Sequence, residues 1–200
     1  IAAFVTTRDT ELQPFVRPLA SAVRRNRIAA VSENLQMAMM MFNALVGRGC
    51  SYVPDPTSPY EERSQNPLAI DFVQFPRQTL VYGAGDCDDL SVTFNALLEA
   101  VGVPTAFLTI PGHIFSAFRL DMNHDQALGT FRRPDEFIFR EDEDGESVWV
   151  PFEVTLLEGE FVDAWATGAR QWREYAAAGR AQFFSTAEAW ESHVPVSYTG

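Results

Sequence analysis

Two hundred residues with a hydrophobic fraction of 46%, including 16 Phe and 4 Trp, are enough to bury one substantial core and argue against a disordered chain. The formal charge of -12, from 27 acidic against 15 basic side chains, excludes a nucleic-acid partner held by clustered Lys and Arg. Two cysteines, Cys50 and Cys87, make no disulfide framework, and the absence of a C-x-x-C pair removes zinc ribbons and thioredoxin-like redox chemistry.

No uninterrupted apolar run is long enough to span a bilayer, and no signal peptide is visible at the start. The chain begins on Ile rather than Met, as an excised domain or a processed product would. We read residues 1–200 as a single domain. An N-terminal helix and proline-rich loop occupy 1–67, a core 68–160, and a C-terminal helical segment 161–200.

In chain order, Arg17 to Val46 reads as one long helix rich in Ala, Leu and Met, stopped by Gly47 and Gly49. Its Met37, Met39, Met40 and Met41 read as core filler rather than an adhesive surface, and Arg24, Arg25 and Arg27 as a solvated face. Cys50 to Pro67 reads as a loop punctuated by four prolines, placed to form one wall of a cleft. Leu68 to Tyr82 is ambiguous and broken by Pro76. Gly83 and Gly85 then turn the chain into a helix that starts at Cys87.

That helix carries Leu90, Phe94, Leu97, Leu98 and Val101 at helical spacing, with Asp86 as N-cap and Asp89 completing an acidic capping box. Gly102 and Pro104 end it. Thr105 to Ile110 and His113 to Leu120 read as strands joined by a Pro111-Gly112 turn. The acidic run Glu141 to Glu146 reads as a hairpin tip. It lacks the spacing of a calcium loop. Ser147 to Glu153 is a third strand, with Val148, Val150, Phe152 and Val154 on one face and Trp149, Pro151 and Glu153 on the other. Phe161 to Ala178 is an amphipathic helix with Phe161, Trp165, Gly168, Trp172 and Tyr175 along one face. The class is α+β: a nucleophile helix on a small antiparallel sheet, with flanking helices.

Three residues in this order carry chemistry. A thiol at a helix start sits where unpaired N–H groups and the macrodipole favour thiolate, and those N–H groups suit an oxyanion. Asp86, Asp88 and Asp89 oppose this, because like charge raises a thiol pKa. His113, straight after the turn, is placed as a general base. Glu153, a carboxylate among Trp, Pro and Phe, needs a partner, and an imidazole N–H is a fitting one. Three other readings stay open on the sequence: a buried inert Cys87, a Cys87/His113/Glu153 metal site with water as fourth ligand, and a domain that binds peptides without turnover. Cys50 reads as a bystander.

The segment Gly85-Asp86-Cys87-Asp88-Asp89-Leu90 resembles the nucleophile segment of the transglutaminase-like superfamily. The nearest likeness is to bacterial transglutaminase-like domains with a G-D-C-[DE]-D-L signature. The likeness spans roughly Pro76 to Glu153. It includes Pro76 to Leu80, Leu97 to Val103, the Pro-Gly-His strand and the Trp-x-Pro-x-Glu strand. It implies a papain-like core and a cysteine peptidase or amide hydrolase. Cys87 would be the nucleophile, His113 the base and Glu153 the orienting acid, a slot in which the family more often has Asp. The resemblance also implies oxyanion donors at the Cys87 N–H and one upstream side chain, Gln78 or Tyr82. It implies a protein or peptide substrate and no cofactor. It leaves periplasm or cytoplasm, and the oligomeric state, open.

Overall fold

The structure is a computed structural model that describes residues 1–54, 72–142 and 145–196. Among these residues it is a mixed α+β fold with seven α-helices and a curled five-stranded antiparallel sheet. The sheet strands are β3 (Thr105–Ile110), β4 (His113–Arg119), β5 (Ile138–Asp142), β6 (Gly145–Phe152) and β7 (Gln182–Ser185), in the order β5-β6-β4-β3-β7. A separate two-residue parallel ladder joins β1 (Ser51–Tyr52) to β2 (Ala84–Gly85). No helix of the described residues is long and apolar enough to cross a membrane.

The expected single helix over Arg17–Val46 is two: α1 (Leu12–Arg25) and α2 (Glu33–Gly47). Local polar side chains account for the break. The Asn26 amide donates to the Ala22 carbonyl at 2.8 Å, closing α1. Gln36 ties down the connection by accepting from Ile28 N–H at 2.9 Å and donating to the Val31 carbonyl at 2.9 Å. Ser32 caps α2, accepting from Leu35 N–H, and its hydroxyl donates to Asp121. Each of these bonds competes with helix continuation. Pro18 lies inside α1. Of the methionines, Met37 and Met41 are core residues, whereas Met39 is exposed.

Pro76 opens a helix: α3 (Pro76–Tyr82) starts with proline at its first turn, where a missing N–H costs nothing. Residues 55–67 of the proline-rich loop, and 68–71 after it, lie outside the described residues, as do 143 and 144 at the hairpin tip. Ser51 and Tyr52, within the stretch read as loop, pair as β1. Among the elements with no counterpart in the sequence reading are α5 (His124–Thr130), β5, β7 and α7 (Thr186–Ser192).

The core centres on α4 (Cys87–Glu99), in which every residue from Asp89 to Leu98 is buried. One sheet face meets α2 and α4 through Phe107, Ile114, Phe118, Val148, Val150 and Phe152. The other carries Leu108, Phe115, Ala117 and Trp149, against Trp172 and Tyr175 of α6 (Phe161–Ala177). Period-two alternation therefore sends both sets of side chains into apolar surroundings. Phe152 is the hub: its ring lies 5.0 Å from Phe94, 5.2 Å from Phe42 and 4.7 Å from Phe161, centroid to centroid. These contacts tie α2, α4 and α6 to the end of β6, one residue before Glu153.

Gly168 sets how closely α6 approaches. A Cβ built there would fall 2.7 Å from Phe152 N and 2.8 Å from the Pro151 carbonyl atoms, so only glycine fits. With the helix this close, Glu153 N–H donates to the Ala164 carbonyl at 3.0 Å.

Candidate active site

Cys87 is the first residue of α4, and the start of that helix follows the acidic capping box. Asp86 Oδ1 accepts from Asp88 N–H at 3.0 Å and Asp89 N–H at 3.1 Å, while Asp89 Oδ2 accepts from Asp86 N–H at 3.3 Å. Leu90 N–H donates to the Asp86 carbonyl at 3.1 Å. No acceptor for the Cys87 N–H lies among the described residues. Asp89 is buried and held further by Gln74, whose N–H and Nε2 donate at 2.7 and 2.6 Å. Gly85 makes room for it, because a Cβ there would sit 2.6 Å from Asp89 Cβ.

The Cys87 thiol is partly buried and lies 3.7 Å from Asp88 Oδ1. Burial pushes it up to about 12, the charges of Asp88 and Asp86 push the same way, and a hydrogen bond from Ile114 N–H opposes them. The resting group is a thiol, not a thiolate. The helix start is outweighed by desolvation and by the acids that cap it. The Ile114 contact also fixes location, because Ile114 is the residue after His113 on β4.

His113 opens β4 directly after the turn. Ile110 pairs with His113, and Gly112 has φ +75° between them, as the second central residue of a type II Pro-Gly turn requires. The imidazole stacks on Phe115 at 5.7 Å and 14°. Its Nε2 meets Glu153 Oε2 at 2.5 Å. Glu153 is 2% exposed, and its other oxygen accepts from Thr155 Oγ1 at 2.6 Å and Thr155 N–H at 3.2 Å. Burial raises this carboxyl, but the His113 bond and charge together with Thr155 hold it below its ordinary value. It is an ionised acid with both oxygens occupied.

The structure thus brings Cys87, His113 and Glu153 to one end of the sheet: the last two in direct contact, the first through the neighbouring Ile114 N–H. Gln78 sits in the first turn of α3, where its Oε1 accepts from Phe75 N–H at 2.8 Å, so its amide oxygen serves the cap. Tyr82 is an exposed residue at the end of α3. It lines a cleft of about 300 Å³ with Val53, Gln74, Gly85, Asp86 and Asp89. Cys50 is buried, and burial raises its thiol, offset in part by Arg48. Among the described residues, no three His, Cys, Asp or Glu side chains are grouped so as to hold a metal ion.

Sequence reasoning missed Tyr52. Its partner across the parallel ladder is Gly85, two residues before Cys87, and its phenol lies within the electrostatic reach of Cys87, Asp86 and Glu153. No local signal marks it, because only the pairing of two distant dipeptides puts it there. No known protein family, curated protein or solved structure matches this chain.

Proposed function

We propose that this chain is a thiol-dependent hydrolase or acyltransferase acting on amide bonds of a protein or peptide, built on a papain-like, transglutaminase-like core. The observation that carries the proposal is the His113–Glu153 pair at 2.5 Å, made by a buried, ionised carboxylate, with the helix-start Cys87 thiol bonded to the N–H of Ile114, the residue after His113. Glu153 occupies Nε2 and fixes the ring, leaving Nδ1 as the nitrogen to take the Cys87 proton. The sulfur then attacks the carbonyl carbon, and the carbonyl π pair moves to oxygen. Collapse breaks the C–N bond, and His113 returns the proton to the leaving amine or ammonia. Water, deprotonated by His113, cleaves the thioester and restores the thiol; an amine in its place gives cross-linking. Hydrolysis is the simpler outcome, since it needs no second binding site.

A second reading, peptide binding without turnover, is favoured by one observation: the thiol held at about 12. The experiment is alkylation of Cys87 against pH in protein with Cys50→Ser, compared with the same protein carrying His113→Ala, together with amide turnover of Cys87→Ala and His113→Ala. The acyl-transfer reading expects a thiol reactive near neutral pH that loses its reactivity with His113, and turnover abolished in both variants. Turnover that survives both substitutions overturns the mechanism. A silent thiol with tight peptide binding establishes the binding module.

A further inference from the structure

We infer that Tyr52 is a catalytic residue of this site: its phenolic hydroxyl, with the Cys87 N–H, donates to the oxyanion formed when Cys87 attacks a carbonyl. The inference rests on the acyl-transfer reading above and assigns its side-chain donor to Tyr52 in place of the upstream candidates Gln78 and Tyr82.

Position comes first. β1 is pinned to the segment that delivers the nucleophile by Ser51 N–H to the Gly83 carbonyl at 3.0 Å and Val53 N–H to the Gly85 carbonyl at 2.9 Å, with Tyr52 opposite Gly85 between them. The backbone bonds of its neighbours therefore hold Tyr52 against β2, the strand that leads to Cys87. From there its phenol lies within electrostatic reach of Cys87, Asp86 and Glu153. It is 43% exposed, as a group that must meet an incoming substrate should be. None of the hydrogen bonds among the described residues uses its hydroxyl.

Chemistry comes second. A negative oxygen forming beside Asp86 and Asp88 is repelled by both, so the site needs neutral, fixed donors. The Cys87 N–H is one, left over after Asp86 has capped the next two amides. The Tyr52 O–H is the second. Burial and the neighbouring Cys87, Asp86 and Glu153 all raise the phenol, so near neutral pH it keeps its proton and can act as a donor. In the step itself the C–S bond forms, the π pair becomes the oxyanion and both donors hold it. When that pair re-forms the carbonyl and the amine leaves, Tyr52 retains its proton and no co-reactant is consumed. Gln78 has its amide oxygen tied to the Phe75 N–H, which anchors its side chain at the start of α3 rather than on the segment that carries Cys87.

The test separates attack that creates an oxyanion from attack that does not. In protein carrying Cys50→Ser, Cys87 is treated with iodoacetamide, a displacement at saturated carbon, and with p-nitrophenyl acetate, an acylation. Tyr52→Phe should alkylate at the parent rate and acylate roughly a hundredfold more slowly, the scale of losing one oxyanion donor. Its unfolding temperature, which should match the parent's, controls for folding. An acylation rate unchanged by Tyr52→Phe overturns the role. An equal fall in both reactions also overturns it, since that marks an effect on the thiol alone. If the parent thiol is silent to both reagents, the acyl-transfer reading itself fails and the Tyr52 role falls with it.

Discussion

Replacing Asp88 by Asn should make Cys87 more reactive, although Asp88 flanks the nucleophile of the proposed enzyme. The carboxylate oxygen lies 3.7 Å from the sulfur. Two unit charges at about that distance repel by about 1 kcal/mol in water and about 4 kcal/mol at an effective dielectric constant near 20. Both groups are only partly buried, so the water-screened end applies, and about 1 kcal/mol corresponds to about fivefold in thiolate fraction. Nucleophilicity falls as the thiol becomes more acidic, with a Brønsted slope of about 0.4–0.5, so a fivefold gain in thiolate becomes a roughly 2- to 2.5-fold gain in rate. The helix start should survive, because the capping carboxylate belongs to Asp86. The assay is the second-order rate of iodoacetamide alkylation between pH 8 and 10 in protein with Cys50→Ser, with the thiol titration followed by ultraviolet absorbance. The titration should move down from about 12. A rate that is unchanged or lower in a normally folded Asp88→Asn protein would refute the assignment of Asp88 as a charge that suppresses the thiol.

Three further predictions follow from single contacts. Glu153→Gln removes a charge-assisted bond to His113 and should cost about 1.5–3 kcal/mol at neutral pH, read from denaturant unfolding. Because the folded carboxyl is held below its ordinary value, that difference should be full above the unfolded carboxyl range and shrink as pH falls through the lowered folded value; a difference that grows on acidification contradicts the pairing. Gly168→Ala drives a Cβ into the backbone of Pro151 and Phe152, which cannot yield as a side-chain tip would, and should cost about 3 kcal/mol. An unshifted unfolding temperature would show that α6 does not approach β6 so closely. Gln78→Ala should lose about 1 kcal/mol of stability with the α3 cap while leaving Cys87 acylation intact, and a hundredfold loss of acylation would return the oxyanion role to Gln78.

What was legible in the sequence was local. The Pro111-Gly112 turn, the capping box around Cys87, and the alternation that puts Val148, Val150 and Phe152 opposite Trp149 each rest on neighbours within a few residues, and each is found in the fold. The division of Arg17–Val46 was legible only in part. Composition favoured a continuous helix, while the break depends on Asn26, Ser32 and Gln36 side chains bonding to backbone and on Ser32 reaching Asp121. β7 was hidden because it becomes a strand by pairing with β3 across a long separation in sequence. Tyr52 was hidden for the same reason.

The Cys87 thiol is the point at which two local rules conflict. The helix-start rule favours thiolate, yet the residues that make this helix start well formed are Asp86 and Asp89, and Asp86 adds with Asp88 to burial in raising the thiol. The macrodipole near a helix terminus contributes about 0.3–1 kcal/mol at exposed sites, whereas a single carboxylate at 3.7 Å contributes about 1 kcal/mol even when screened by water. Burial is then added to the same side. The order of these magnitudes decides the outcome, and a reading by motif alone does not weigh them. For the proposed enzyme the consequence is a thiol that stays protonated until His113, held ready by Glu153, accepts its proton. Catalysis would then depend on the His113–Glu153 pair more steeply than in a site with a preformed thiolate. His113→Ala should accordingly abolish acylation of Cys87 near neutral pH and restore part of it above about pH 11, where hydroxide can deprotonate the thiol directly. Acylation that persists at neutral pH in that variant would show that the thiol is ionised by something other than the imidazole.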